Sequence, residues 1–359
     1  MEPGRNKIEE QDFVKCAERL IRRGHLERRD WQILLEGRTQ SRQQWLAGQA
    51  SALRDRIYGK RIFIRGLIEF TNYCRNDCFY CGIRRSNSQT SRYRLDKEEI
   101  LSCCEAGYQL GFRTFVLQGG EDPYYTDDRL TEIVRSIRQQ YPDCAITLSV
   151  GEKERESYAA YRKAGADRYL LRHETANAAH YAMLHPKEQK LADRIQCLYT
   201  LKELGYQTGA GFMVGSPGQT IETLIDDLQF LEELQPEMVG IGPFLPHHGT
   251  PFREEKQGSG ELTLYLLSLV RLLLPRVLLP ATTALGTIDE KGREKGILAG
   301  ANVVMPNLSP ADVRGKYLLY DHKICTGKEA AEGLEALRNS MNALGYEIAA
   351  DRGDIAPEC

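Results

Sequence analysis

"IFIRGLIEFTNYCRNDCFYCG", residues 62–82, runs from an apolar stretch straight into three cysteines, Cys74, Cys78 and Cys81, spaced C-x3-C-x2-C. The first ten residues are rich in Ile and Phe, as expected of a strand buried in a core. The loop after them crowds three thiols together and offers no fourth nearby. A disulfide, a zinc site and a redox centre are the readings this leaves open.

Outward from this stretch the rhythm repeats. Apolar runs at 62–71, 114–120, 145–151, 168–174, 208–215, 238–244, 277–284 and 302–307 alternate with amphipathic patterns such as "KEEILSCCEAGYQLG" and "TIETLIDDLQFLEEL". Several of the helical patterns end in Gly, where a helix turns back into a strand. Strands alternating with helices predict a parallel sheet. Eight repeats predict a closed (β/α)8 TIM-type barrel, with an open doubly wound sheet as the alternative. Helical spacing over residues 7–56 predicts an N-terminal helical segment. The expected organisation is therefore helical segment 1–56, barrel 57–310 and a short C-terminal extension 311–359 that closes the bottom or side.

Composition narrows the partners. The 359 residues carry a net charge of −2, with 42% hydrophobic and 27% charged content. That balance gives no reason to expect nucleic acid or an anionic membrane as partner. No stretch approaches the ~20 apolar residues of a membrane span. The first twenty residues lack the apolar run of a signal peptide, so the expected location is the cytoplasm. A reducing compartment argues against a disulfide framework for the ten cysteines. Cys16, Cys103, Cys104, Cys144 and Cys197 read as small buried hydrophobes.

The trio is different. In a (β/α)8 barrel the site lies at the C-terminal ends of the strands, and the cysteine loop follows the first. "GGEDP", "RHETA" and "TT" follow later strands at the same end. Zinc sites ask for four protein ligands, commonly in two pairs, and no second C-x2-C exists. A [4Fe–4S] cube has four irons, so three thiolates leave one iron open to a ligand. Phe79 and Tyr80 would shield such a cluster from water.

C-x3-C-x2-C after the first barrel strand resembles the radical S-adenosylmethionine (SAM) superfamily. "IEFTNYCRNDCFYCGIRRSN", "VLQGGEDPYY", "GADRYLLRHETAN", "TGAGFMVGSPGQT", "MVGIGPFLPHHGTPF", "LLPATTALGTI" and "GANVVMPNLSP" together resemble the [FeFe]-hydrogenase maturases of the HydE type. Methylornithine synthases and biotin synthases are related families with the same barrel. The resemblance implies one [4Fe–4S] cluster on Cys74, Cys78 and Cys81. It implies SAM bound by Tyr80, Gly119, Gly120, Glu121, Arg172, Glu174, Arg194 and Met213. Gly119 and Gly120 are expected to let a ligand approach the backbone. Substrate would be met by Thr147, Arg168, Thr282, Thr283, Met305, Tyr317 and Tyr320, with no catalytic residue beyond the cluster and SAM.

Spacing adds detail. Arg172 and Glu174 are two apart, so on a strand they share a face, and an unpaired charge there would be costly. His173 is expected to pack behind. "GSPGQT" lacks the lysine of a phosphate loop and reads as a turn into a helix. His247 and His248 read as solvent-exposed rather than metal-binding. Many HydE-like chains carry a second cysteine trio near the C-terminus. Here the matching stretch keeps only Cys325, which predicts a single cluster and leaves Cys325 and Cys359 without an assigned role.

The resemblance thus implies a radical SAM enzyme of hydrogenase H-cluster (diiron subcluster) assembly. It would act on a small iron- and sulfur-bearing precursor, with ferredoxin or flavodoxin as outside reductant and other hydrogenase maturases as partners. A methylornithine synthase-like mutase and a non-catalytic iron–sulfur scaffold are the alternatives.

Overall fold

The computed structural model describes residues 8–357. Six parallel strands pair in chain order: Gly66–Thr71, Thr114–Gly119, Ala145–Ser149, Arg168–Leu170, Gln207–Ala210 and Met238–Val239. The two remaining staves close the ring through single parallel bridges, Met238 with Leu278, Pro280 with Val303 and Asn307 with Leu67. Leu278 N–H donates to the Glu237 carbonyl, and Leu67 N–H to the Pro306 carbonyl, both at 2.9 Å. The eight apolar runs are therefore the eight staves of a closed barrel.

The seventh run, 277–284, departs from expectation in one respect. It forms bridges at 278 and 280 but no continuous strand, because Pro280 has no N–H to give the ladder. Beyond it the chain turns directly into the helix Thr283–Ile288.

Alternation along the staves divides the molecule. Phe115, Leu117, Ile146 and Leu148 pack outward into the main core beneath the helices, while Val116 and Thr147 lie outside that core. A smaller apolar cluster of Tyr58, Phe63, Met238, Leu278, Val303 and Ala349 fills the lower interior, with Met305 against it. The helix Gly260–Leu273 is buried continuously from Thr263 to Leu273. A helix apolar all round must be covered on every side. The N-terminal segment supplies the cover: its third helix, Gln40–Tyr58, packs along it, after Glu10–Arg23 and Arg28–Glu36.

The C-terminal extension closes the bottom. Its strand Glu347–Ala349 pairs in parallel with Arg61–Ile64, and the strap behind it runs under the barrel. Arg168 is the anchor. Its fully buried guanidinium donates to Gln207, Thr114, the Arg352 and Gly353 carbonyls and Asp354 Oδ1, the last at 2.7 Å. Arg168 begins its strand and so stands at the end away from the cysteines. Each of its three nitrogens is engaged at the floor, on the side away from the cysteines, which is where the structure departs from the expectation that it binds substrate. A cleft of about 490 Å³ lies between this strap and Tyr58, Arg61 and Phe63, and it includes none of the cysteines. Among the described residues, no helix is long and apolar enough to cross a membrane.

Candidate active site at the cysteine loop

The strand Gly66–Thr71 delivers the chain to the barrel mouth, and the loop begins at once. Cys74, Cys78 and Cys81 are free and half-buried. Burial pushes all three thiols upward, Cys78 to about 12, and each of the later two also feels its neighbours. In the metal-free protein they are neutral, so iron must displace their protons on binding.

The loop is held from several sides. Asn72 donates to the Ser91 and Lys316 carbonyls, and Arg92 to the Arg84 carbonyl at 2.6 Å. Arg75 N–H donates to the Glu121 carbonyl at 2.9 Å, which ties the loop to "GGEDP". Here the structure adds a second demand on the two glycines. A Cβ at Gly120 would overlap the Tyr73 carbonyl oxygen and come within 2.8 Å of the Cys74 Cβ. A Cβ at Gly119 would press on Thr71 and Phe70. These glycines make room for the cysteine loop itself. Gly120→Ala is therefore expected to push Cys74 outward and cut the iron bound per chain by about tenfold, as for loss of a metal site's supporting partner. Iron assay after anaerobic reconstitution, beside a circular dichroism spectrum showing an intact fold, checks this.

Glu121 folds back on the loop. Its carboxylate meets Arg75 Nε at 3.0 Å and accepts from the Glu152 N–H at 3.0 Å. Gly151, at φ +77°, has no Cβ to block it. Arg194 rises from the helix Leu191–Glu203 with Nε 2.6 Å from Glu152 Oε1. Burial pushes Glu152 above the usual carboxylate range. Tyr80 meets His185 Nε2 at 3.2 Å, and His185 stacks on Tyr181 at 3.9 Å. Burial holds His185 neutral, with its pKa pushed down to about 3. Met213 joins Leu184 and Phe244, with Tyr80 against them.

Arg172 and Glu174 lie 3.2 Å apart, but not on a continued strand. Glu174 sits at φ +65°, a strained region for a residue with a side chain, and bridges to Phe212. Its N–H donates to the Gly211 carbonyl at 3.0 Å, which fixes the turn. Arg172 Nε and Nη2 and Glu174 Oε2 are buried with no aligned hydrogen-bond partner. His173 points away, packs on Phe230 and faces Asp227 at 3.4 Å.

Of the expected substrate residues, Tyr317 and Tyr320 come from the segment that follows the eighth stave. Tyr317 is buried near Glu69 and Cys81, and Tyr320 is half-buried near Glu69 and Arg172. Thr147 and Thr282 each present a buried hydroxyl without a partner among the described residues. Thr283 does not: its hydroxyl donates to Glu329 at 2.9 Å, so it is a structural tether to the C-terminal extension rather than a free ligand. Met305 lies against the lower apolar cluster. "GSPGQT" is a turn, with Thr220 capping the helix Ile221–Leu234.

The two histidines also differ from expectation. His247 is buried against Gly82, and only His248 is exposed. With Asp321 they bring three donor atoms within 4.8 Å. The Gly249 N–H donates to His247 Nδ1 at 2.9 Å, which puts the ring proton on Nε2. His247 therefore turns a donor, not a ligand lone pair, toward Asp321. Cys325 is half-buried and free, and Cys359 lies outside the described residues.

The sequence reading missed a buried ion pair. Glu69 is fully buried on the first stave, bonded to Lys323 and, at 2.7 Å, to Asn307 Nδ2. Four residues earlier on the same stave, Arg65 places Nη1 3.0 Å from Met238 sulfur, while its buried Nε and Nη2 have no partner among the described residues. Burial and the nearby Arg168 push its pKa well down. A charge every fourth position in "RGLIEF" was the available signal.

The residues fit the groups the chemistry asks for. Three neighbouring thiols, with no fourth beside them among the described residues, suit an iron–sulfur cube with one open iron. The unsatisfied donors and acceptors of Arg172 and Glu174 suit a polar, zwitterionic ligand beside it.

The comparisons agree. The Radical SAM superfamily profile matches residues 68–231. Over 304 residues the chain is 48% identical to the [FeFe] hydrogenase maturase subunit HydE of Thermotoga maritima, covering 85% of this chain and 86% of that one. It is 32% identical to 3-methylornithine synthase of Methanosarcina acetivorans, covering 96% of each. A crystal structure of methylornithine synthase superposes with a TM-score of 0.82 at 27% identity, covering 93% of this chain and 97% of that one. With the thiols, the barrel and these relatives together, the chain belongs to the radical SAM superfamily, as a radical SAM enzyme of the HydE kind.

Proposed function

We propose that this enzyme acts in assembly of the diiron part of the [FeFe]-hydrogenase H-cluster, on a small iron- and sulfur-bearing precursor. Kinship with the Thermotoga maritima maturase carries the reading, and the barrel interior supports it. Cys74, Cys78 and Cys81 would hold the cluster. Tyr80, Glu121, Arg172, Glu174, Arg194 and Met213 would line the SAM site. When bound, the cluster and SAM supply an electron and a sulfonium, whose cleavage gives a 5′-deoxyadenosyl radical.

The chain's own residues then bind and orient the precursor. Thr147 and Thr282 keep hydrogen-bonding atoms unmade among the described residues, and buried polar atoms of this kind ask for a ligand. Tyr317 and Tyr320 cover the mouth and exclude water. An outside electron donor such as ferredoxin or flavodoxin reduces the cluster, other maturases supply and receive the cargo, and the work is done in the cytosol.

The 96% span shared with methylornithine synthase favours a second reading, an amino-acid mutase. One experiment separates them. Reconstituted protein is added to a cell-free mixture holding apo-hydrogenase and the partner maturases, and separately to lysine with reductant and SAM. Hydrogen evolution that depends on this protein is the expected result. Lysine-dependent SAM turnover without hydrogenase activation would replace the reading with the mutase.

A further inference from the structure

Gln189 lies in the turn "HPKEQ", residues 185–189, between the helices Ala178–Leu184 and Leu191–Glu203. This turn is fastened to the cysteine loop at three points. Phe79 N–H donates to the Leu184 carbonyl at 3.0 Å, and Tyr80 meets His185. The third point is Cys78 Sγ, 3.5 Å from Gln189 Oε1.

The third contact is incomplete. The Gln189 amide nitrogen, Nε2, is buried and has no partner among the described residues. With Cys78 a thiol, its S–H donates to the amide oxygen and the arrangement holds. A cluster-bound Cys78 is a thiolate with no proton to give, so the oxygen would face a negative sulfur. A half-turn of the amide exchanges oxygen for nitrogen at nearly the same place. That one rotation gives the thiolate a donor and the orphaned nitrogen an acceptor.

Tyr80 does not serve instead. His185 Nδ1 lies 3.0 Å from the Tyr181 carbonyl, which can only accept, so Nδ1 carries the ring proton. His185 Nε2 is then the acceptor for the Tyr80 hydroxyl proton.

We propose that Gln189 is a positioning residue that donates an N–H···S hydrogen bond to the Cys78 thiolate and holds the cluster's reduction potential up. The inference rests on the cluster reading above. Reduction adds negative charge to the cluster sulfurs, so a donor there stabilises the reduced form more than the oxidised one.

The test is an EPR-monitored redox titration of the reconstituted holoprotein. At the potential where the wild type is half reduced, Gln189→Leu should lower the reduced-to-oxidised ratio about tenfold, which for one electron is a shift of ~59 mV. Gln189→Glu, which offers only an acceptor, should lower it at least as far. Wild-type holoprotein exchanged into D2O should also show a cluster-coupled exchangeable deuteron by ENDOR that Gln189→Glu lacks. A merely structural turn would alter iron content without moving the potential of the clusters that remain. A ratio changed by less than about twofold in both variants, or the same deuteron signal in wild type and Gln189→Glu, overturns the proposal. A wild type with no [4Fe–4S] signal is a separate failure, that of the cluster itself.

Discussion

Cys78→Ala is expected to abolish formation of 5′-deoxyadenosine and to lower cluster occupancy by more than ~100-fold. Loss of an outer partner of a metal ligand alone costs 10–100-fold in affinity, and here the ligand itself is removed. Cys74 and Cys81 remain, but two thiolates on one loop cannot seat a cube with three anchored irons. The fold should survive, because the loop is held by Asn72, Arg92 and the Glu121 carbonyl rather than by the thiol. Cys325→Ala is the control. It lies in the C-terminal extension, and its iron, sulfide and SAM-cleavage yields should match the wild type. Iron and sulfide assay, EPR of the reduced protein and chromatography of deoxyadenosine read all three quantities from one preparation. Retained cleavage in Cys78→Ala would remove this loop from the chemistry. Proportional loss of iron in Cys325→Ala would show that the chain holds iron elsewhere as well.

Legibility in the sequence followed chemical distance along the chain. The cysteine trio, the strand before it and the alternation of eight apolar runs are local patterns, and each lies where the pattern placed it. What depended on distant partners was invisible. Arg168 reads as a candidate ligand beside its neighbours, yet it is claimed by Asp354, 186 residues on. Thr283 is claimed by Glu329 in the same way. The glycines of "GG" signal close approach of something, but only the folded chain shows it is the Tyr73 carbonyl and Cys74. Staves were read longer than they are because the breaks are geometric. At Gly211, φ +149°, the fifth run "TGAGFMVG" bends so closely past Gly240 that no side chain fits. Gln189 belongs to no motif, and nothing but its position behind Cys78 marks it.

Lys323→Met is expected to destabilise the protein by about 3–5 kcal/mol, the usual cost of breaking a buried ion pair from one side. Lys323 and Glu69 are almost wholly buried, and 254 residues separate them in the chain. The pair does more than cancel charge. Lys323 Nζ also donates to the Tyr317 carbonyl at 3.0 Å, so it ties the Tyr317–Tyr320 cover to the first stave. Without the lysine, Glu69 keeps Asn307 as its side-chain donor among the described residues, and its charge is uncompensated. Urea midpoints of the metal-free variant should therefore fall well below those of the wild type. Adding Glu69→Leu to Lys323→Met should recover most of the loss, since an apolar pair replaces a stranded charge. No loss in the single variant, or no recovery in the double, would mean that Glu69 is not held by Lys323. The tyrosine cover would then owe its place to the packing of Tyr317 and Tyr320 alone.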